Sequence, residues 1–311
     1  MLLSIVIPAY NSDNHIKKTI YSIYKNLSQY EKDLIEVIIV DDGLNDFDYL
    51  KNIIKKFDKN IKLISHNGQN KGMCAARNSG IINSSNEYVT LLDADDLFID
   101  DWFSNFKSTI KKMPKKANIC FTQCVTNHGE ITASEKNFTG WLYPKDIIKS
   151  NHAGEYNPIF KGKYIRNNLY IDLGTKRSCG IISYFRMSLD HPIWISDNIM
   201  RIYNISNPDS ISKNKFSFEK SLELKYCYEK FLDLYGNKIF NLDKKSFYIF
   251  KQKIIIYKMF AYKKRFWKEH WYNRNLDLSF IVSTILLIMG PNLINFSLNL
   301  LKKFKIIKKY G

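Results

Sequence analysis

The chain has 311 residues, 45% of them hydrophobic, which supports a packed globular core and excludes a collagenous or disordered chain. Its five cysteines, Cys74, Cys120, Cys124, Cys179 and Cys227, are odd in number and scattered, which excludes a disulfide framework and a zinc cluster and reads as reduced thiols. The formal charge of +17 is uneven: residues 1–212 carry 26 basic against 23 acidic side chains, and residues 213–311 carry 21 against 7.

Leu2–Pro8 is a short apolar run that predicts a buried strand ending at Pro8. No basic region or cleavage site precedes it, so no signal peptide is expected. Ile16, Ile20, Ile23 and Leu27 recur at helical spacing within Asn14–Leu27. Glu36–Val40 predicts a second buried strand, closed by Asp41-Asp42-Gly43. Leu50, Ile53, Ile54 and Phe57 mark a helix, Ile61–Ser65 a strand, Gly72–Ile82 a helix and Tyr88–Leu92 a strand. Such alternation with short connections gives a parallel sheet covered on both faces, with ligands beyond the carboxyl ends of its strands. Further on, Asn118–Val125 predicts a strand, Ser183–Leu189 a helix and Ile199–Ile205 a late strand. After residue 212 the pattern changes to long helices rich in Lys, Tyr, Phe and Ile.

The polar motifs fall at the strand ends. Pro8-Ala9-Tyr10-Asn11 turns the chain outward after the first strand. Asp41-Asp42 places two carboxylates after the second, where a helix cap is the plainer reading. Asp93-Ala94-Asp95-Asp96 crowds three carboxylates behind Leu91-Leu92, a repulsion that a hard divalent cation relieves. Alternation along a strand points Asp93 and Asp95 the same way, so they can serve one ligand. Between them, Asn67–Gly80 brings small residues, a helix start and Arg77, whose guanidinium suits an anionic diphosphate.

In this order and spacing the four motifs resemble the inverting, nucleotide-sugar-dependent glycosyltransferases of family 2. The resemblance is strong over residues 2–110, thin to residue 212 and absent beyond. It implies an α/β GT-A (Rossmann-like) fold, mostly parallel, in residues 1–212. It also implies a nucleotide-sugar donor, UDP-linked by expectation, bound by Pro8, Tyr10, Asp41, Arg77 and Asp93. Asp95 would hold a divalent metal, Mn2+ or Mg2+, and Asp42 would support the site. Leu44 replaces the Ser that often follows Asp-Asp-Gly. The family's base, an Asp or Glu beginning a later helix, aligns with Ile181 and Ile182 after Gly180. Of the neighbouring acids Asp172, Asp190 and Asp197, Asp190 is the first candidate for the base and Asp172 the second.

Residues 213–311 read as a helical, basic-aromatic region that associates with membrane. Lys251–Arg274 mixes Phe260, Phe266, Trp267 and Trp271 with Lys258, Lys263, Lys264, Arg265 and Lys268. The alternative is an amphipathic helix docked on its own protein. Leu278–Leu301 is uncharged but broken by Gly290-Pro291-Asn292, which predicts two half-helices lying in the membrane face, with a true span as runner-up. The expected acceptor is a glycan or lipid-linked glycan at the cytoplasmic face of the plasma membrane. No nucleic-acid motif accompanies the charge, so nucleic acid is not expected as a partner. A catalytically silent relative that binds nucleotide-sugar or glycan and supports a partner enzyme is the alternative function.

Overall fold

The computed structural model describes residues 2–12, 15–43, 47–57, 60–177, 180–205, 217–274 and 278–303. Two compact units divide the chain, Met1–Asn207 and Pro208–Gly311. The expected boundary after residue 212 lies outside the described residues.

The strands of the first unit are β1 (Leu3–Ala9), β2 (Ile35–Asp41), β3 (Ile61–Ser65), β4 (Tyr88–Leu91), β5 (Leu97–Phe98), β6 (Ile119–Thr126), β7 (Gly140–Leu142), β8 (Tyr156–Lys161) and β9 (Ile193–Tyr203). Its helices are α1 (Ile16–Tyr24), α2 (Gln29–Lys32), α3 (Phe47–Ile54), α4 (Met73–Ile82), α5 (Trp102–Lys112), α6 (Pro144–Lys149), α7 (Gly162–Asn167) and α8 (Gly180–Asp190). All strands join one sheet in the order β3-β2-β1-β4-β8-β6-β9-β5, with β7 paired to β9. The part built from β3, β2, β1 and β4 is parallel, as the strand–helix alternation predicts. Beyond β4 the sheet is mixed, because β8 slots antiparallel between β4 and β6 while β9 runs parallel to β6.

Alternation along β1 builds two cores. Leu3, Ile5 and Ile7 pack on one face with Ile16, Ile20 and Ile23 of α1 and with Trp102 and Phe106 of α5. Val6 faces the other side, with Ala76 and Ile81 of α4, Phe160 and Met187. Helix α4 comes so close to β1 that a Cβ on Gly80 would stand 2.2 Å from Val6. Pro8 does not end its strand: β1 continues to Ala9, with Pro8 opposite Val40. Leu92 N–H bonds Val6 C=O, so the even residues of β1 face β4, and pairing with β4 is over by Pro8. The missing N–H therefore leaves no ladder bond unmade.

The second unit consists of α9 (Phe218–Leu242), α10 (Lys244–Tyr262), α11 (Trp267–Tyr272) and α12 (Leu278–Lys303). Ser217 caps α9 and Asp243 caps α10, each side chain accepting from a backbone N–H three residues on. Helix α12 kinks where expected, at Gly290 (φ 73°) before Pro291. Among the described residues no helix is long and apolar enough to cross a membrane, which corrects the runner-up reading of a true span.

Candidate functional site

One edge of the sheet gathers the carboxyl ends of β1, β2, β3, β4, β6 and β9 together with the amino end of β8. Asp41, the last residue of β2, is buried there; its carboxylate accepts from Gly43 N–H (3.0 Å) and Ser65 Oγ (2.8 Å). Tyr10 is exposed beside Gly43, whose φ of 106° a side chain would strain. Asp42 is buried and fastens the next loop: it meets His66 Nδ1 at 2.8 Å and accepts from the N–H groups of Lys71 and Gly72 at 2.8 and 3.0 Å. His66 Nε2 lies 2.9 Å from Ser79 Oγ on α4. The loop and the start of α4 are thereby pinned to the end of β2. Gly72 is required at that corner, since its φ is 99° and a Cβ would stand 2.2 Å from Thr175 C=O.

Arg77, one turn into α4, donates to Asp93 Oδ1 at 3.0 Å and lies over the ring of Tyr170. Asp93 Oδ2 takes a second guanidinium, Arg201 Nη1, at 3.4 Å. Arg201 is a buried hub on β9. Its Nη1 also stands 3.3 Å from Asp96 Oδ2, its Nη2 stands 3.5 Å from Glu155 Oε2, and its Nε donates to Cys124 Sγ at 3.2 Å. Burial opposes the charge on Asp93, but Arg77 and Arg201 outweigh it and hold the carboxyl below its ordinary value. Asp96 goes the other way: burial, with the charges of Asp93 and Asp95, pushes it well above its ordinary value against the pull of Arg201. Tyr170 and Tyr184 complete the inner wall, hydroxyl to hydroxyl at 2.7 Å, both phenols raised by burial. The edge thus holds two arginines ion-paired to acids, Arg77 with Asp93 and Arg201 with Asp93, Asp96 and Glu155, beside a half-buried Asp95.

The sequence profile described as "Glycosyl transferase family 2" matches residues 4–192. The chain belongs to glycosyl transferase family 2. An uncharacterized glycosyltransferase of Haemophilus influenzae is 37% identical over 102 residues, 32% of this chain and 38% of that one. The next four curated relatives are matched over 20% of their length or less. A Campylobacter jejuni protein named GalNAc(5)-diNAcBac-PP-undecaprenol beta-1,3-glucosyltransferase is 26% identical over 232 residues, 69% of each chain. Among solved structures, Staphylococcus aureus TarS 1-349 in complex with UDP-GlcNAc superposes with a TM-score of 0.57 at 17% identity, over 94% of this chain and 82% of that one. The fold of this family 2 chain is GT-A-like, as the motifs imply.

The family 2 edge brings together Pro8, Tyr10, Asp41, Arg77, Asp93 and Asp95. Asp190 is the last, exposed residue of α8, about 15 Å along the helix axis from Gly180. It lies beside Tyr164, whose phenol is pushed up to about 12 by burial and by this carboxylate. Ile182 is buried at the start of α8, and exposed Asp172 accepts from Gly174 N–H. Sequence reasoning missed His66, Glu155 and Arg201. Arg201 had a signal, a lone charge inside the apolar run Ile199-Met200-Arg201-Ile202, because a buried charge needs partners. Among the described residues no three His, Cys, Asp or Glu side chains could hold a metal by themselves. Asp93 is bound to two arginines and Asp96 is buried, and half-buried Asp95 is the acid that the motif implies for a metal. That fits Mg2+ or Mn2+ shared with a diphosphate, since such ions take one or two carboxylates and complete their shell with phosphate and water.

Proposed function

We propose that this chain transfers a sugar from a UDP-linked donor to a hydroxyl of a glycan or lipid-linked glycan, with inversion at the anomeric carbon. The observation that carries this reading is the convergence of Asp41, Arg77, Asp93 and Asp95 on one sheet edge in a family 2 chain. The UDP-GlcNAc complex of the TarS structure and the undecaprenol-linked substrate in the Campylobacter relative's name favour the donor and acceptor classes. In this reading Tyr10 flanks the base, Asp41 accepts from its imide N–H, and Asp93, fixed by two guanidiniums, takes the ribose hydroxyls. Arg77 sets the potential for the diphosphate, and Asp95 holds the cation that stabilises the leaving diphosphate when bound.

Calorimetry with UDP and manganese tests the assignment. Asp95→Ala removes most of the metal-dependent affinity, and Asp41→Ala weakens UDP binding with or without metal. If both variants bind UDP and manganese like the parent, the assignment is wrong. Asp190→Asn, assayed for donor turnover, tests the base chosen from the sequence. A parent that binds UDP but turns over no donor would instead match the silent relative.

The second unit is proposed to rest on the anionic cytoplasmic face of the plasma membrane. Phe280, Ser283 and Leu287 bury one side of α12, while Ile281, Val282, Ile285 and Ile288 are exposed on the other. Trp271, Tyr272, Lys263, Lys264, Arg265 and Lys268 are also exposed in this unit. Apolar area plus about 1 kcal/mol per well-placed basic residue supports peripheral binding. Ile285→Asp with Ile288→Asp is expected to release the protein from phosphatidylglycerol vesicles at all salt concentrations. Retention of the double variant on such vesicles in high salt contradicts this docking face.

A further inference from the structure

Transfer to a hydroxyl needs a group that takes its proton, and α8 opens with Gly180-Ile181-Ile182, which offers none. Other acids at this edge already have roles, Asp95 as the proposed cation ligand and the rest in the contacts that follow. Asp93 is bound by two guanidiniums, Asp96 is buried against Arg201 and accepts from Asn204 N–H, and Asp41 and Asp42 hold the loop. Glu155 differs from all of these. It directly precedes β8, whose antiparallel register with β4 sets the amino end of β8 beside the carboxyl end of β4, where the chain leads on to Asp93. Arg201 joins the two: Nη1 reaches Asp93 at 3.4 Å and Nη2 stands 3.5 Å from Glu155 Oε2. Arg201 Nη2 also donates to Tyr156 C=O, which fixes the backbone next to Glu155. Yet the Glu155 side chain is 53% exposed while that of Arg201 is 4% exposed. The carboxylate is therefore anchored by a buried guanidinium and open to solvent, where a second substrate can reach it.

We propose that Glu155 is the general base of the transfer, an assignment that rests on the glycosyl-transfer reading of this site. As the acceptor oxygen forms its bond to the anomeric carbon, the O–H proton passes to a Glu155 carboxylate oxygen. The bond from the anomeric carbon to the β-phosphate oxygen breaks, and UDP leaves with the electron pair. Arg201 is the positioning residue that holds Glu155 and Asp93 in one frame.

The test needs no natural acceptor, because water must also lose a proton whereas azide has none to lose. The full chain is assayed for UDP release from UDP-N-acetylglucosamine, UDP-glucose and UDP-galactose, with water or sodium azide as acceptor, and for UDP binding by calorimetry. Glu155→Gln is expected to cut release to water by about 100- to 10,000-fold with UDP affinity unchanged, and Glu155→Asp to retain part of the rate. Glu155→Ala is expected to form glycosyl azide faster than it hydrolyses donor, a preference that mere loss of structure cannot produce. Asp190→Asn is assayed in parallel as the competing base. The assignment is overturned if Glu155→Gln releases UDP at the parent rate, if its rate and UDP affinity fall together, or if Asp190→Asn suffers the loss instead. It is also overturned by a parent that binds UDP and turns over none of the three donors, which leaves nucleotide binding standing. A parent that binds no UDP sinks the glycosyl-transfer reading itself.

Discussion

Two polar clusters, one in each unit, take different chemical forms. In residues 1–207 the buried cluster is charged, with Arg201 meeting Asp93, Asp96 and Glu155, and Arg77 meeting Asp93. In residues 208–311 a buried cluster is neutral: His270 lies between Gln252 Oε1 and Thr284 Oγ1, each at 2.7 Å, and Ser283 donates to Gln252 Oε1. Gln252 belongs to α10, His270 to α11, and Ser283 and Thr284 to α12, so this network ties three helices together. Neutral polar groups suffice for that, because each finds its partner inside the cluster. Buried charges carry a desolvation cost that well-packed apolar side chains avoid. On the proposed reading, a charged ligand accounts for their place at the sheet edge.

The hardest test of that contrast removes the hub. Arg201→Met leaves three acids around an apolar side chain, and breaking a buried ion cluster from one side costs about 3–5 kcal/mol. Urea unfolding of the first unit should show the loss directly. Asp96→Asn in the same chain should recover part of it, because Asp96 is already biased towards its neutral form and Asn keeps an acceptor for Asn204 N–H. If Arg201→Met unfolds at the parent midpoint, the charged cluster is not a structural unit and the contrast between the two regions fails.

The same contrast explains what could be read beforehand. β1 to β4 and their helices were legible because each strand is a short apolar run closed by a turn signal and each helix keeps its apolar spacing, so Asp41, Arg77, Asp93 and Asp95 could be placed on one edge. Glu155 and Arg201 were not, because their meeting depends on β8 running antiparallel beside β4 and on β9 pairing with β6. Those pairings join residues about 70 to 80 positions apart, and no local period encodes them. β9 illustrates the loss: Ile199–Ile205 was expected, while the strand begins at Ile193, before the exposed Asp197 that interrupts its apolar pattern. In the second unit the Gly290 kink was legible from one dipeptide, whereas the His270 network needs three helices in register.

The smallest effect concerns pH. Burial lowers the pKa of His270 below its ordinary 6.5, so the folded second unit favours neutral imidazole. The unfolded chain binds this proton more readily than the folded one, so stability rises with pH through this range. The contribution is fully present above about pH 6.5 and declines as pH falls from there through the lower folded value. Phe280 stacks on the ring at 4.3 Å, and the titratable groups packed nearby include no carboxylate among its hydrogen-bond partners, so nothing in the network compensates the added charge. Thermal unfolding between pH 7.5 and 5.5 should therefore show the second unit losing stability on acidification. His270→Gln, which cannot take up a proton, should flatten that dependence even if it unfolds earlier at pH 7.5. A slope that survives His270→Gln unchanged would place the acid sensitivity elsewhere and leave the neutral cluster as packing alone.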